Sequence, residues 1–131
     1  MIKGGCHCGR IAFEIIGSVT GFKHCHCHTC RKFHGSVYGS SALVEKEHFS
    51  VVTGWEHLTA HLSSPEKRRY FCSFCGSHVF AVEVRQGQER TILRIGTLEP
   101  GHGLKPEGHI HVQDKVGWYE IRDELPQHLG E

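Results

Sequence analysis

No stretch of this sequence approaches the ~20 consecutive apolar residues of a membrane-spanning helix. The residues after Met1 also lack an apolar core behind a charged start, which is the pattern of a secretory signal, so we expect a cytoplasmic protein with no membrane contact. Charge of one sign is not in excess either, because 15 Lys and Arg stand against 14 Asp and Glu for a net charge of +1. This balance provides no broad basic surface, and we expect no nucleic-acid partner.

Internal repeats, low-complexity tracts and linkers are absent as well. The chain has 131 residues, which is enough for one compact core and too few for two ordinary ones. Hydrophobic residues make up 38% of the chain, so it has apolar material for a modest core and does not have the composition of a disordered protein. We therefore expect a single folded domain over residues 1–131.

Cysteine and histidine are abundant, with 7 and 13 residues. An odd number of cysteines cannot form a closed set of intrachain disulfides, and a reducing compartment disfavours disulfides. Thiolates and imidazoles are common ligands of zinc. The composition therefore indicates a metal-binding protein whose small core is supplemented by zinc.

The pattern of apolar residues predicts a mainly β fold with one short helix. Ile11, Phe13 and Ile15 occupy alternate positions, as in a half-buried strand. Turn signals rich in Gly, Pro and small polar residues separate the later apolar runs. These runs predict further strands at residues 38–44, 49–52, 57–62, 69–72, 78–84, 91–95 and 109–112, and the short helix is predicted at residues 29–34.

All seven cysteines fall into three short motifs with the spacings C-x-C, C-x-C-x-x-C and C-x-x-C. A structural zinc needs four ligands, typically two close pairs from two chain segments. Cys6 and Cys8 form one pair, and Cys72 and Cys75 form another. Gly5 and Gly9 flank the first pair and Gly76 follows the second, and glycines let the backbone direct N–H groups toward the sulfurs. We predict a closed site of four thiolates whose loss unfolds the protein.

Cys25, Cys27 and Cys30 remain, from one continuous segment. Three protein ligands and an open fourth position are typical of a catalytic zinc, whereas a fourth ligand would make a second structural zinc. The histidines that could supply that fourth ligand are His24, His26, His28 and His34. Ligand counting leaves both interpretations open. A redox-active cysteine pair is a weaker third, because it leaves one cysteine idle.

Three motifs together resemble the family of glutathione-dependent formaldehyde-activating enzymes. They are GGCHCG at residues 4–9, CHCHTCR at residues 25–31 followed by Gly35 and Ser36, and FCSFCGS at residues 71–77. The stretch from His109 to Pro126 also resembles the end of that family. The order and spacing of the three motifs make the resemblance specific, and it spans nearly the whole chain.

The resemblance implies an Mss4-like fold of stacked antiparallel sheets tied by zinc. It implies two zinc ions per chain, a structural one on Cys6, Cys8, Cys72 and Cys75 and a catalytic one on Cys25, Cys27 and Cys30. The family's activity is the condensation of glutathione with formaldehyde to S-(hydroxymethyl)glutathione, classed as a carbon–sulfur lyase reaction in the reverse sense. The implied partners are a small thiol such as glutathione and formaldehyde or a related electrophile.

Three histidines are candidates for proton transfer in such a reaction. Zinc deprotonates a bound thiol or polarises an aldehyde oxygen, and a general acid or base completes the addition. His26 lies within the catalytic motif, His34 lies shortly after it, and His109 matches a histidine of the family. A histidine beside a metal more often orients a ligand than transfers a proton, so no role is assigned to any of the three.

Two other groups of residues have a functional and a plainer interpretation. The run Lys67-Arg68-Arg69 could hold a carboxylate, but we expect it to be a solvated basic stretch at a strand edge. His109 and His111 would share one face of a strand and could bind metal, but we expect them at the surface because no third ligand is visible.

Two functions from different classes fit this pattern. The first is a zinc enzyme of carbon–sulfur bond chemistry. The alternative is a non-enzymatic, zinc-stapled protein-interaction module, because Mss4-like folds also serve as binding domains. Two zinc ions, one of which has an exchangeable water or thiol as its fourth ligand, would indicate the enzyme, whereas one zinc or two closed sites would indicate the module.

Overall fold

The computed structural model describes residues 1–131 and contains ten strands, one α-helix and four short 3₁₀ helices. The strands are β1 (Ile2–Gly5), β2 (Ala12–Ile15), β3 (Val19–Cys25), β4 (Gly39–Glu45), β5 (Phe49–Thr53), β6 (Leu58–Ser64), β7 (Lys67–Cys72), β8 (His78–Arg85), β9 (Gln88–Arg94) and β10 (Gly108–Ile110). The α-helix is α1 (His28–His34), and the 3₁₀ helices are Lys46–His48, Trp55–His57, Ile95–Thr97 and Val112–Asp114.

The strands form two sheets. The smaller sheet has the order β1-β2-β5, and the larger sheet has the order β10-β3-β4-β9-β8-β7-β6. Neighbouring strands are antiparallel, except that β10 pairs with β3 in parallel. The predicted mainly β fold of stacked antiparallel sheets is confirmed.

The core lies between the two sheets. The smaller sheet contributes Phe13 and Ile15, which are each 1% exposed, and the larger sheet contributes Val79 and Leu93, which are completely buried. Close packing extends to the backbone of β1, because a Cβ atom added at Gly4 would lie 2.5 Å from Cζ of Phe13. The side chains of β2 and the backbone of β1 therefore fit together without room for a methyl group.

Two of the observed strands, β1 and β3, were not predicted from the apolar pattern. The sequence of β1 is Ile-Lys-Gly-Gly, which has no alternation and contains two glycines. Strand β3 contains Gly21 at φ 65°, and its pairing with β4 shifts register between Thr20 and Lys23. Such an irregularity breaks the period-2 pattern, and long-range pairing rather than local propensity forms this strand.

Helix α1 begins at His28, inside the second cysteine motif and one residue before the predicted start. Its N-cap is Cys27, whose side chain accepts a hydrogen bond from the backbone N–H of Cys30. The helix ends at Gly35, which has φ 56° and donates its N–H to the carbonyl of Arg31. None of the helices is both long and apolar enough to cross a membrane.

Candidate metal centres and active site

Four cysteines from two distant segments meet at the first candidate centre. Cys6 and Cys8 lie in the turn between β1 and β2, Cys72 ends β7, and Cys75 lies in the turn that follows. Their sulfurs all lie within 4.8 Å of one another, with 3.5 Å between Cys6 and Cys8 and 3.7 Å between Cys8 and Cys72. A tetrahedral zinc at about 2.3 Å from each ligand spaces the sulfurs about 3.8 Å apart. This four-cysteine cluster therefore has the size and the donor set that fit a closed zinc site.

The loops around the four-cysteine cluster direct polar hydrogens toward its sulfurs. The backbone N–H of Ile11 donates to Sγ of Cys6 at 3.3 Å, and the hydroxyl of Ser77 lies 3.2 Å from Sγ of Cys75. Hydrogen bonds from Ser77 lower the pKa of the Cys75 thiol to about 5. This favours the thiolate, which is the form that binds a metal.

Three cysteines of one segment form the second candidate centre. Cys25 ends β3, Cys27 caps α1, and Cys30 lies in the first turn of that helix. Their sulfurs lie within 4.8 Å of one another, with Cys30 buried and the other two half-buried. A hydrogen bond with Cys25 lowers the pKa of Cys30, and one with Cys27 raises the pKa of Cys25. Such opposite shifts arise when neighbouring thiols share a proton.

No fourth protein ligand joins this three-cysteine cluster. No histidine, aspartate or glutamate atom lies within 4.8 Å of all three sulfurs. Among the histidines considered as a fourth ligand, His28 is exposed and His24 hydrogen-bonds instead to the hydroxyl of Ser40 at 2.8 Å. All seven cysteines are free, so no disulfide competes with metal binding. Three thiolates without a fourth protein ligand fit a metal that keeps one position for another molecule.

A cavity of about 330 Å³ adjoins the three-cysteine cluster, and Cys25, Cys27 and Cys30 are part of its wall. Its charged lining consists of six cations and two acids: Lys23, Lys67, Arg69, Arg85, Arg90, Arg94, Glu83 and Glu131. Ala42, Leu43, Ile92 and Ile110 supply apolar surface. The volume is that of a small-molecule pocket.

Arg69 and Arg94 are buried in this wall, with only 3% and 4% of each residue exposed. The expectation that the whole run of residues 67–69 is a solvated strand edge was therefore wrong for Arg69. Side chains alternate along β7, so Arg68 is exposed while Arg69 points inward, where its guanidinium lies over the ring of Phe33 at 4.7 Å. Burial, the largest effect, lowers the pKa of Arg94 to about 10, which leaves this guanidinium charged at neutral pH.

Two of the candidate histidines belong to a buried series of hydrogen bonds and are not part of the cavity lining. Nε2 of His26 lies 2.8 Å from Nδ1 of His109, whose Nε2 lies 2.9 Å from a carboxylate oxygen of Asp123. Both rings are completely buried, so the expectation that His109 lies at the surface was wrong. Parallel pairing with β3 brings β10 beside the cysteine segment and turns His109 inward. Its neighbour His111 is half-buried and lines the cavity.

The third candidate, His34, lies on α1 near a different cavity. That cavity has a volume of about 510 Å³ and is also lined by Tyr38, His78 and Arg94. Nε2 of His34 is buried without a hydrogen-bond partner, and burial, the largest effect, lowers the pKa of His34 to about 3. The structure thus separates His34 from the pair formed by His26 and His109.

Two polar residues of these networks were not identified from the sequence. Arg94 ends β9 between Leu93 and Ile95, and an arginine among buried apolar residues is the signal that could have identified it. Asp123 lies in the irregular C-terminal segment. No local pattern connects it to His109, because the contact depends on the path of the chain after β10.

The comparisons with known proteins agree with this geometry. A model of the family described as glutathione-dependent formaldehyde-activating enzyme matches residues 1–114. Proteins named as candidate glutathione-dependent formaldehyde-activating enzymes include one from Aspergillus flavus, which is 28% identical over 95% of this chain and 56% of its own. Another, from Talaromyces marneffei, is 30% identical over 88% of this chain and 56% of its own. The chain thus spans somewhat more than half the length of these relatives.

A solved structure supports the fold. A crystal structure of a protein from Rhodobacter sphaeroides matches with a TM-score of 0.61 and 24% identity, and the match covers 77% of this chain and 91% of that chain. At this identity the likeness concerns the fold alone.

Proposed function

Because the chain belongs to the family of glutathione-dependent formaldehyde-activating enzymes, we propose that it is a zinc-dependent enzyme that joins a small, glutathione-like thiol to formaldehyde or a related electrophile. In this reaction the thiol sulfur forms a bond to the carbonyl carbon, and the thiol proton ends on the former carbonyl oxygen. The class is that of a carbon–sulfur lyase in the reverse direction, as for S-(hydroxymethyl)glutathione synthase.

One observation carries this proposal. The three-cysteine cluster has no fourth protein ligand and is part of the wall of a cavity that can admit a small molecule. A non-enzymatic module would be expected to close both of its metal sites with protein ligands. The donor set of this second cluster is therefore better suited to chemistry than to a purely structural role.

Cys25, Cys27 and Cys30 would hold the zinc of the reaction, and the four-cysteine cluster would hold a structural zinc. When bound, the catalytic zinc lowers the pKa of a thiol or polarises a carbonyl oxygen. The chain itself contributes the fixed arrangement of its thiolates. Cys27 accepts the N–H of Cys30 at 3.3 Å, and the backbone N–H of His26 donates to the carbonyl of Ile110 at 3.0 Å.

The buried histidine chain is proposed to position this segment rather than to move the proton. His26 lies between two of the cysteines in sequence, but neither it nor His109 lines the cavity. The hydrogen bond with Asp123 fixes the ring of His109. The ring of His109 in turn holds that of His26, with 2.8 Å between Nδ1 of His109 and Nε2 of His26. A hydrogen-bonded ring behind a metal ligand fixes the orientation of the segment, as polar groups outside a metal site commonly do.

The test is the rate of S-hydroxymethyl adduct formation by zinc-loaded protein, compared with the uncatalysed rate under the same conditions. Formation of the adduct from glutathione and formaldehyde can be followed by NMR. We expect a rate above background that is lost in Cys27→Ser, while Arg68→Gln, an exposed change on β7, retains it. A rate equal to background for every thiol tested, in protein shown to contain two zinc ions, would reject the activity and favour the binding module.

A further inference from the structure

The cavity beside the three-cysteine cluster carries more positive charge than its own acids neutralise. Of its two acids, Glu131 pairs with Arg85 at 2.9 Å and Glu83 pairs with Arg90 at 3.1 Å. No ion pair in the structure includes Lys23, Lys67, Arg69 or Arg94, although all four line the cavity. These cations therefore face the cavity without a carboxylate partner.

Arg69 and Arg94 are the most deeply buried of the lining cations, and each has hydrogen-bonding capacity that the protein does not use. Nε of Arg69 donates to the hydroxyl of Ser63 at 3.0 Å, and Nη1 of Arg94 donates to the hydroxyl of Ser41 at 2.6 Å. Nη1 of Arg69 and Nη2 of Arg94 are buried without any partner. A buried guanidinium donor without an acceptor is costly, and proteins rarely leave one in that state.

The cysteine thiolates neutralise only part of the positive charge of the two arginines. Three thiolates around a divalent ion carry a net charge of −1, which can balance one of the two arginines but not both. The serine hydroxyls are neutral and fix the direction of each guanidinium without neutralising it. An anion from outside the chain is the remaining source of compensation, and the forked donors of arginine match a planar carboxylate.

We propose that Arg69 and Arg94 form a carboxylate-binding subsite beside the three-cysteine cluster, and that the enzyme acts on a small substrate that bears a carboxylate. This inference rests on the proposed function, because it takes the cavity as the place where the substrate binds. Formaldehyde is neutral and cannot use such a subsite. The carboxylate belongs either to the thiol or to a carbonyl compound that replaces formaldehyde, and the two sources share the same recognition chemistry.

Direct binding to the zinc-loaded protein tests the subsite without a measurement of activity. In the thiol arm, calorimetry compares 3-mercaptopropionate with its amide, 3-mercaptopropionamide. In the carbonyl arm, it compares glyoxylate with glyoxylamide. We expect the carboxylate to bind about tenfold to 100-fold more tightly than the amide in one arm, because a charge-assisted hydrogen bond discriminates by roughly that factor. The arm that shows the preference identifies the source of the carboxylate.

Variants then assign the preference to the two arginines. Arg94→Gln and Arg69→Gln should each reduce the carboxylate preference at least severalfold, with zinc content and far-UV circular dichroism unchanged. The matched control is Arg68→Gln, which removes the same charge from the neighbouring, exposed position of β7 and should bind like the wild type. If Arg69→Gln or Arg94→Gln does not fold, the comparison of acid with amide on the wild-type protein still decides whether the cavity prefers a carboxylate.

Equal affinity for acid and amide in both arms would overturn the subsite. Loss of zinc in the arginine variants, without any carboxylate preference in the wild type, would also overturn it and leave the arginines as counterions of the thiolates. The proposed function fails separately. If carboxylate binding is strong but adduct formation stays at background, the subsite stands without that activity. If uncharged thiols react above background and carboxylates bind no better, the activity stands without the subsite.

Discussion

Replacing Cys72 by serine should destabilise the protein far more than replacing Cys27. Cys72 is completely buried and belongs to the main core cluster, and its sulfur lies 3.7 Å from that of Cys8, which is 64 residues away in sequence. A metal at the four-cysteine cluster therefore closes a long loop. Cys27 belongs to a cluster that spans only residues 25–30.

The size of the difference follows from loop-closure entropy. Cross-linking a loop of roughly 64 residues lowers the free energy of folding by about 4 kcal/mol through the unfolded state, whereas a loop of about six residues gives about 2 kcal/mol. Small domains have a total stability of about 5–15 kcal/mol. Cys72→Ser should therefore remove a large share of it and yield mostly unfolded or insoluble protein, whereas Cys25→Ser, Cys27→Ser and Cys30→Ser should each leave a soluble chain that has lost one zinc.

The assay is urea unfolding of zinc-loaded protein, followed by far-UV circular dichroism, with metal content measured on the same samples. A strong chelator should destabilise the wild type at least as much as Cys72→Ser does, because it removes the metal of both clusters. If Cys27→Ser is as unfolded or insoluble as Cys72→Ser, the reasoning from loop length is wrong and both clusters are structural.

Three further predictions concern single side chains. Gly4→Ala should cost about 1–3 kcal/mol because the new methyl group meets a buried ring and a backbone oxygen within 3 Å, whereas Gly96→Ala, with no atom within 4 Å, should be nearly neutral in the same urea titration. Burial holds the pKa of His34 at about 3, below its ordinary 6.5, so the unfolded chain binds the proton more readily than the folded protein does. The free energy of unfolding should therefore fall as the pH decreases below 6.5. A His34→Gln variant with unchanged metal content that shows the same fall would contradict this. Asp123→Asn should weaken the hold on the ring of His109, and faster amide hydrogen exchange in β10 is the expected signature, with unchanged exchange as the contrary result.

The cysteine pairs could be predicted because metal ligands on tight turns leave a local spacing in the sequence. Cys6 with Cys8 and Cys72 with Cys75 are readable for this reason, and the structure gathers the four sulfurs that the pairing predicted. The short helix after Cys27 follows from equally local signals.

The remainder of the site depends on strand register and could not be read in the same way. Arg69 and Arg94 share one cavity wall although they lie on β7 and β9, two strands apart in the sheet. His109 turns inward only because β10 adds to β3 in parallel, an arrangement that no short-range pattern indicates. Long-range pairing therefore determines the polar surroundings of the cluster, and a one-residue change in register would exchange the inward and outward side chains.

The parallel contact between β10 and β3 also constrains the order in which the protein can be completed during synthesis. Lys23 to Cys25 pair with Gly108 to Ile110. This side of β3 therefore stays unpaired until residues more than 80 positions later have been synthesised. Until then the backbone of β3 presents unpaired N–H and C=O groups beside reactive thiols, which makes the nascent chain prone to intermolecular strand pairing and oxidation. A chain released before Gly108 would keep the three cysteines but lack the strand that pairs with Lys23 to Cys25.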